Sequence, residues 1–161
     1  MTHHEGNGKY LMITRIFDAS RERVWQYWTE TDRFKCWWGP KDFFTPFAKM
    51  DLRVGGKLVN CMHAPDGKDY WGTGTYKEIS MPNRVVYTDS FADELGNVVP
   101  ASYYGLGADI PLEMEVAVSF EDISGKTRMT LEHFGMPEGE MLEQTKAGWN
   151  QSFDKLAECL R

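Results

Sequence analysis

Three ionisable side chains fall where their residue type could do chemistry. His63 and His133 lie in strand-like stretches, and histidine is the side chain most readily recruited for proton transfer near neutral pH. Asp89 shares its parity with Val85, Tyr87 and Phe91, which look inward. A carboxylate placed there needs a partner or a shifted pKa, and either makes it a polar anchor for a ligand. His133 follows Met129 and Leu131 at alternate positions, so its ring either enters an interior cavity or is hydrogen-bonded at a strand end. His3 and His4 offer square-planar copper or nickel chemistry, against the plainer reading of residues 1–9 as a flexible tail before a single domain of residues 10–161. Glu113 and Glu115 alternate with apolar neighbours and are expected to face solvent. Arg53 in "DLRVGG" is expected to pair with a carboxylate or cap a turn.

Motifs for cofactor chemistry fail on inspection. "GTGTYK" at Gly72 and "GLGADI" at Gly105 begin like a dinucleotide fingerprint, but each lacks the third glycine and the strand-to-helix context. "VGGKL" lacks the rest of a phosphate loop, and there is no HExxH and no nucleophile elbow. No metal and no cofactor is expected, and binding is favoured over catalysis. Cys36, Cys61 and Cys159 are an odd number without a CxxC pair, each read as a buried free thiol. A net charge of -6 provides no clustered basic face for nucleic acid or an anionic membrane. No apolar run approaches the roughly 20 residues of a membrane helix, and "MTHHEGNGKY" lacks the pattern of a secretory signal, so the chain reads as cytoplasmic.

Positioning these side chains falls to a strand, two short helices, six strands and a long closing helix. "YLMITRIF" is the first strand; Ser20 is the expected N-cap of the helix that follows, with Val24, Trp25 and Trp28 as its apolar stripe. A second short helix, capped by Thr31 or Asp32, stops at Gly39-Pro40. Residues 44–54, 57–63, 70–79, 84–91, 112–122 and 126–134 read as strands separated by turn signals. In "LEMEVAVSF", Leu112, Met114, Val116, Val118 and Phe120 share the buried face. The last helix is expected to begin near Pro137, with Leu142, Trp149, Phe153, Leu156 and Leu160 on its large apolar stripe and Met141, Thr145, Gly148 and Ser152 beside it. The order is that of an α+β fold with an antiparallel meander around the last helix.

"ITRIFDASRERVWQYWTETDRFKCWWGP", "DLRVGGK", "DSFADELGNVVP" and "AGWNQSFDKLAECL" together resemble the activator-of-heat-shock-ATPase-like family within the START-like superfamily, over about Tyr10 to Leu160. The resemblance implies a helix-grip fold: a seven-stranded antiparallel sheet gripping the C-terminal helix, two short helices closing one end, and an internal cavity. It implies no single reaction, because the superfamily holds carriers, receptors, cyclases and a co-chaperone. The eukaryotic co-chaperones resemble this sequence only in their C-terminal half. The expected ligand is a small apolar molecule, aromatic, polyketide-like or lipid-like. The alternatives are a chaperone-interacting module and a cofactor-free cyclase or hydrolase.

Within that frame the cavity draws on inward strand positions: Trp71, Tyr87, Asp89 and Phe91, then Met114, Val116, Met129 and His133. Met141, Thr145 and Trp149 face it from the last helix. Of Trp37 and Trp38, one packs beneath the second helix and the other crosses the mouth, in an order the sequence leaves open. Residues 92–111 are too long for a hairpin and form either an extension of two strands or an aromatic flap carrying Tyr103, Tyr104 and Leu106.

Overall fold

The structure, a computed structural model, describes residues 10–107 and 109–161; His3 and His4 and the tail lie outside the described residues. Seven strands form one antiparallel sheet: β1 (Tyr10–Phe17), β2 (Phe44–Met50), β3 (Lys57–His63), β4 (Asp69–Ser80), β5 (Arg84–Ala92), β6 (Met114–Ile123) and β7 (Lys126–Phe134). Their spatial order is β1-β7-β6-β5-β4-β3-β2, so sequence neighbours pair except β1 and β2, which form the two edges, and β7 returns to pair with β1. Two short helices, α1 (Arg21–Thr29) and α2 (Thr31–Trp37), follow β1, and α3 (Glu140–Cys159) closes the chain against the inner face of the sheet. This is the helix-grip architecture.

Alternation fixes the sheet's inner face. Met114, Val116, Val118 and Phe120 are buried, and Val118 sits opposite Leu131 on one side and Val85 on the other. Glu113 is exposed and Glu115 half-buried, which sets the register, since a slip of one residue would bury both glutamates. Onto this face α3 lays Phe153 and Leu156, both wholly buried and each contributing roughly 1.5–3 kcal/mol of burial. At the other end Ser20 caps α1 by accepting a hydrogen bond from the Arg23 amide, and Val24, Trp25, Tyr27 and Trp28 turn inward. The "DLRVGG" turn demands glycine: a Cβ on Gly56 would lie 2.0 Å from the Asp51 carbonyl oxygen. Arg53 pairs with Asp51 across that turn at 2.8 Å.

Several boundaries differ from those the sequence predicts. Leu112 is exposed and β6 starts at Met114, because the chain before it is still turning out of the preceding loop. The backbone of Gly139, with φ of 130°, holds the helix off until Glu140, so Pro137 is not its first residue. Glu30 rather than Thr31 or Asp32 caps α2 through its backbone alone, and β2 ends at Met50, where the tight turn at Asp51 begins.

The largest correction concerns the thiols. Cys36 and Cys159 form a disulfide joining the end of α2 to the end of α3, with Cα atoms 6.5 Å apart; only Cys61 is a buried free thiol. The residues are 123 apart in sequence and meet only through the packing of α2 on α3. A disulfide is uncommon in a reducing cytoplasm, so the thiols lend the cytoplasmic reading no support. Among the described residues no helix is long and apolar enough to cross a membrane.

Candidate functional site

Between the sheet, the N-terminal half of α3 and the loops at one end lies a pocket of about 410 Å³. Its floor comes from alternate inward positions: Asn60 and Met62 on β3, Asp89 and Phe91 on β5, Met114 on β6 and His133 on β7. From α3, Met141, Thr145, Gly148 and Ser152 face it at i, i+4, i+7 and i+11, with Trp149 beside them. These four are the helix's second stripe. A Cβ on Gly148 would meet Pro40 Cγ at 3.6 Å, an ordinary contact, so the wall here takes a methyl group without strain.

The two adjacent tryptophans divide the work at the mouth. Trp37 is wholly buried, its indole donating to the Tyr27 carbonyl at 2.8 Å and its ring against Trp28. Trp38, past the end of α2, is half-buried and lines the pocket; its indole donates to Asn60 Oδ1 at 3.1 Å, and its ring stacks on Phe34 and meets Trp149 edge-on. Next to it, the loop Gly39–Phe43 is held by Lys155, whose ammonium donates to the carbonyls of Gly39, Pro40 and Phe43. Partial burial lowers the Lys155 pKa from its ordinary value. Neither Lys155 nor Phe43 carries a periodic signal in the sequence.

From Ala92 the chain follows the first of the two expected forms, the strand extension. The chain extends β5 around a turn in which Asp93 Oδ1 accepts from the amides of Leu95 and Asn97, and Val99 returns to pair with Phe91. A short 3-10 helix, Ala101–Tyr104, follows, and the Tyr104 hydroxyl accepts from the Trp71 amide and donates to the Ala92 carbonyl. Tyr104 is thereby pinned to the sheet, and Leu106, Ile110 and Pro111 complete the lip.

Of the residues expected at the site, Trp38, Trp71, Asp89, Phe91 and Met114 meet at this pocket, together with His133, Met141, Thr145 and Trp149. The others lie elsewhere. Val116 and Met129 are wholly buried in the core, and Tyr87 borders a separate small void beside Tyr76. Trp37 packs beneath the mouth, Tyr104 is spent on the sheet, and Tyr103 points to solvent at 60% exposure. The sequence missed Phe43, Asn60, Met62, Tyr70 and Met136. Asn60 and Met62 share the parity of buried Leu58, a signal that was available. His63 is engaged away from the pocket, its Nδ1 2.6 Å from Asp69.

The pocket's polar end is a chain of three side chains. The Trp149 indole N–H, which can only donate, lies 3.1 Å from His133 Nδ1, so that nitrogen is the acceptor and the proton of the neutral ring sits on Nε2. His133 Nε2 faces Asp89 Oδ2 at 3.6 Å, too long for a hydrogen bond, and is buried without a partner. Asp89 lies deep in the protein, yet 35% of its side chain is accessible because it borders the pocket. Burial lowers the His133 pKa and raises that of Asp89; their mutual attraction opposes both shifts and is outweighed. Among the described residues no lysine or arginine lines the pocket. Among the described residues no group of three or more His, Cys, Asp or Glu could hold a metal ion.

The pair makes a pH signature. His133 takes a proton more easily in the unfolded chain, so its stabilisation is complete above its ordinary value of 6.5 and is lost as the pH falls below it. Asp89 holds its proton more firmly in the fold, so ionising it costs stability as the pH rises from 3.8. Acidification therefore gains from Asp89 part of what it loses at His133. Asp89→Asn removes that gain, and its melting temperature is expected to fall more steeply than the wild type's as the pH is lowered from 6.5 towards 3.8. Parallel melting profiles would contradict the assignment.

Residues 18–161 match the family described as Activator of Hsp90 ATPase homolog 1-like protein. Among solved structures, the chain is similar to a protein from Chromobacterium violaceum, with 23% identity and a TM-score of 0.79 over 95% of this chain and 97% of that one. A protein from Arthrobacter aurescens is 27% identical, with a TM-score of 0.77 over 94% of this chain and 85% of that one. An AHSA1 protein from Silicibacter pomeroyi is 24% identical, with a TM-score of 0.73 over 93% and 96%. None of the curated proteins matches the chain.

Proposed function

The chain belongs to the Activator of Hsp90 ATPase homolog 1-like family, and from that premise we propose that it binds a small, mostly apolar molecule, aromatic, polyketide-like or lipid-like, without metal or cofactor. One observation carries the reading: a pocket of about 410 Å³ walled by six aromatic rings and four methionines. That volume lies above the low end of known ligand sites, about 300 Å³. Flat rings supply large contact area, and methionines adapt to the guest's shape. The wall's lack of lysine and arginine among the described residues disfavours carboxylates and phosphates, which would stand beside Asp89 unpaired.

The test fills the pocket from the helix side. Gly148→Leu carries a side chain past the ordinary contact of its Cβ with Pro40 into the pocket and replaces the poorest non-proline helix former, and a thermal melt run alongside checks that the variant is folded. An environment-sensitive apolar dye is expected to bind the wild type stoichiometrically and to bind Gly148→Leu at least about tenfold more weakly. Equal dye binding by the two proteins would remove the pocket as the site.

The family's description supports a second reading, activation of a heat-shock ATPase. Stimulation of a purified chaperone's ATPase by the wild type, retained in Gly148→Leu, is the result that would favour it. The accessible carboxylate of Asp89 supports a third, a cofactor-free cyclase or hydrolase, in which Asp89 is the ionisable group within reach of a bound molecule.

A further inference from the structure

Two unmet hydrogen-bonding needs sit side by side at the polar end of the pocket. His133 presents an Nε2–H that is buried without a hydrogen-bond partner, and Asp89 presents a carboxylate with no lysine or arginine beside it among the described residues of the pocket. The first needs an acceptor and the second a donor. Their separation of 3.6 Å is too long for them to satisfy each other, but it lets one oxygen lie at hydrogen-bond distance from both, with a small turn of the Asp89 side chain opening the approach. An ammonium group could donate to Asp89 but would leave Nε2–H alone, and a carboxylate could accept from Nε2–H but would repel Asp89.

We infer that the ligand is a neutral, largely apolar molecule bearing a hydroxyl group, whose oxygen donates to Asp89 and accepts from His133 Nε2. Trp149 is the positioning residue: by donating to Nδ1 it fixes the tautomer that puts the proton on Nε2. The apolar remainder lies among Trp38, Trp71, Phe91 and Met114. The inference rests on the pocket being the binding site and adds the group that the pocket selects.

Isothermal titration with four probes of one shape separates the possibilities: 2-naphthol, 2-methylnaphthalene, 2-naphthoate and 2-naphthylmethylammonium. In the wild type 2-naphthol is expected to bind about tenfold or more tightly than 2-methylnaphthalene, the range for a hydrogen bond to a charged group, with the two ions weaker still. Asp89→Leu is expected to abolish that preference, the variant binding 2-naphthol and 2-methylnaphthalene with equal affinity, and His133→Phe to reduce it several-fold. Equal affinity for 2-naphthol and 2-methylnaphthalene would overturn the hydroxyl assignment and leave the pocket standing. Tightest binding of the naphthoate or the ammonium would overturn it in favour of an ion. If no probe binds the folded wild type, the pocket reading falls and this inference falls with it.

Discussion

Replacing Trp37 with alanine is expected to lower the stability by about 3–5 kcal/mol, whereas the same change at Trp38 should cost less than about 2 kcal/mol. Trp37 is wholly buried, and its loss opens a cavity among Trp28, Phe34 and Phe153 and leaves the Tyr27 carbonyl without its donor. Trp38 has one face on Phe34 and the other on the pocket, so its removal enlarges a space that already exists. Urea denaturation of the two variants checks the split. Equal losses would mean that both rings belong to the core and that the mouth is wrongly placed. Ligand affinity should move the opposite way, falling more in Trp38→Ala than in Trp37→Ala.

Removing the disulfide ranks next. Cys36 and Cys159 close a loop with a sequence separation of 123, and a cross-link over so long a stretch restricts the unfolded chain strongly. The double variant Cys36→Ser/Cys159→Ser is expected to lose about 2–4 kcal/mol in denaturant unfolding, and reduction of the wild type to lose a similar amount. A wild type whose unfolding is the same with and without reductant would contradict the bond's contribution. Because the bond ties the end of α2 to α3, its loss should also loosen the mouth that Trp38 borders.

The sheet was legible because its period is short and local. β1, β3 and β7 run over the residues that alternation marks, and the β6 face is wrong only at Leu112, which lies before the strand begins. Half of the site came with it: parity alone puts Asp89 and His133 on the inner face, and the spacing of Met141, Thr145, Gly148 and Ser152 puts them on one side of α3. What could not be read is contact between distant segments. The partner of Cys36, the carbonyls under Lys155, and the pinning of Tyr104 to β4 and β5 each depend on packing that no local pattern encodes. Trp37 and Trp38 show the boundary most clearly. Identical in type and adjacent, they take opposite roles because α2 ends between them.

The six tryptophans allow the central claim to be tested in one experiment. Trp38, Trp71 and Trp149 line the pocket, while Trp25, Trp28 and Trp37 are packed in the core away from it. Each indole N–H gives its own signal in a nitrogen–proton correlation spectrum, and titration with 2-naphthol reports on all six together. The binding account predicts large, saturable shifts for Trp38, Trp71 and Trp149 and only small ones for Trp25, Trp28 and Trp37. Shifts confined to the core tryptophans, or no saturable shift in any of the six, would contradict it.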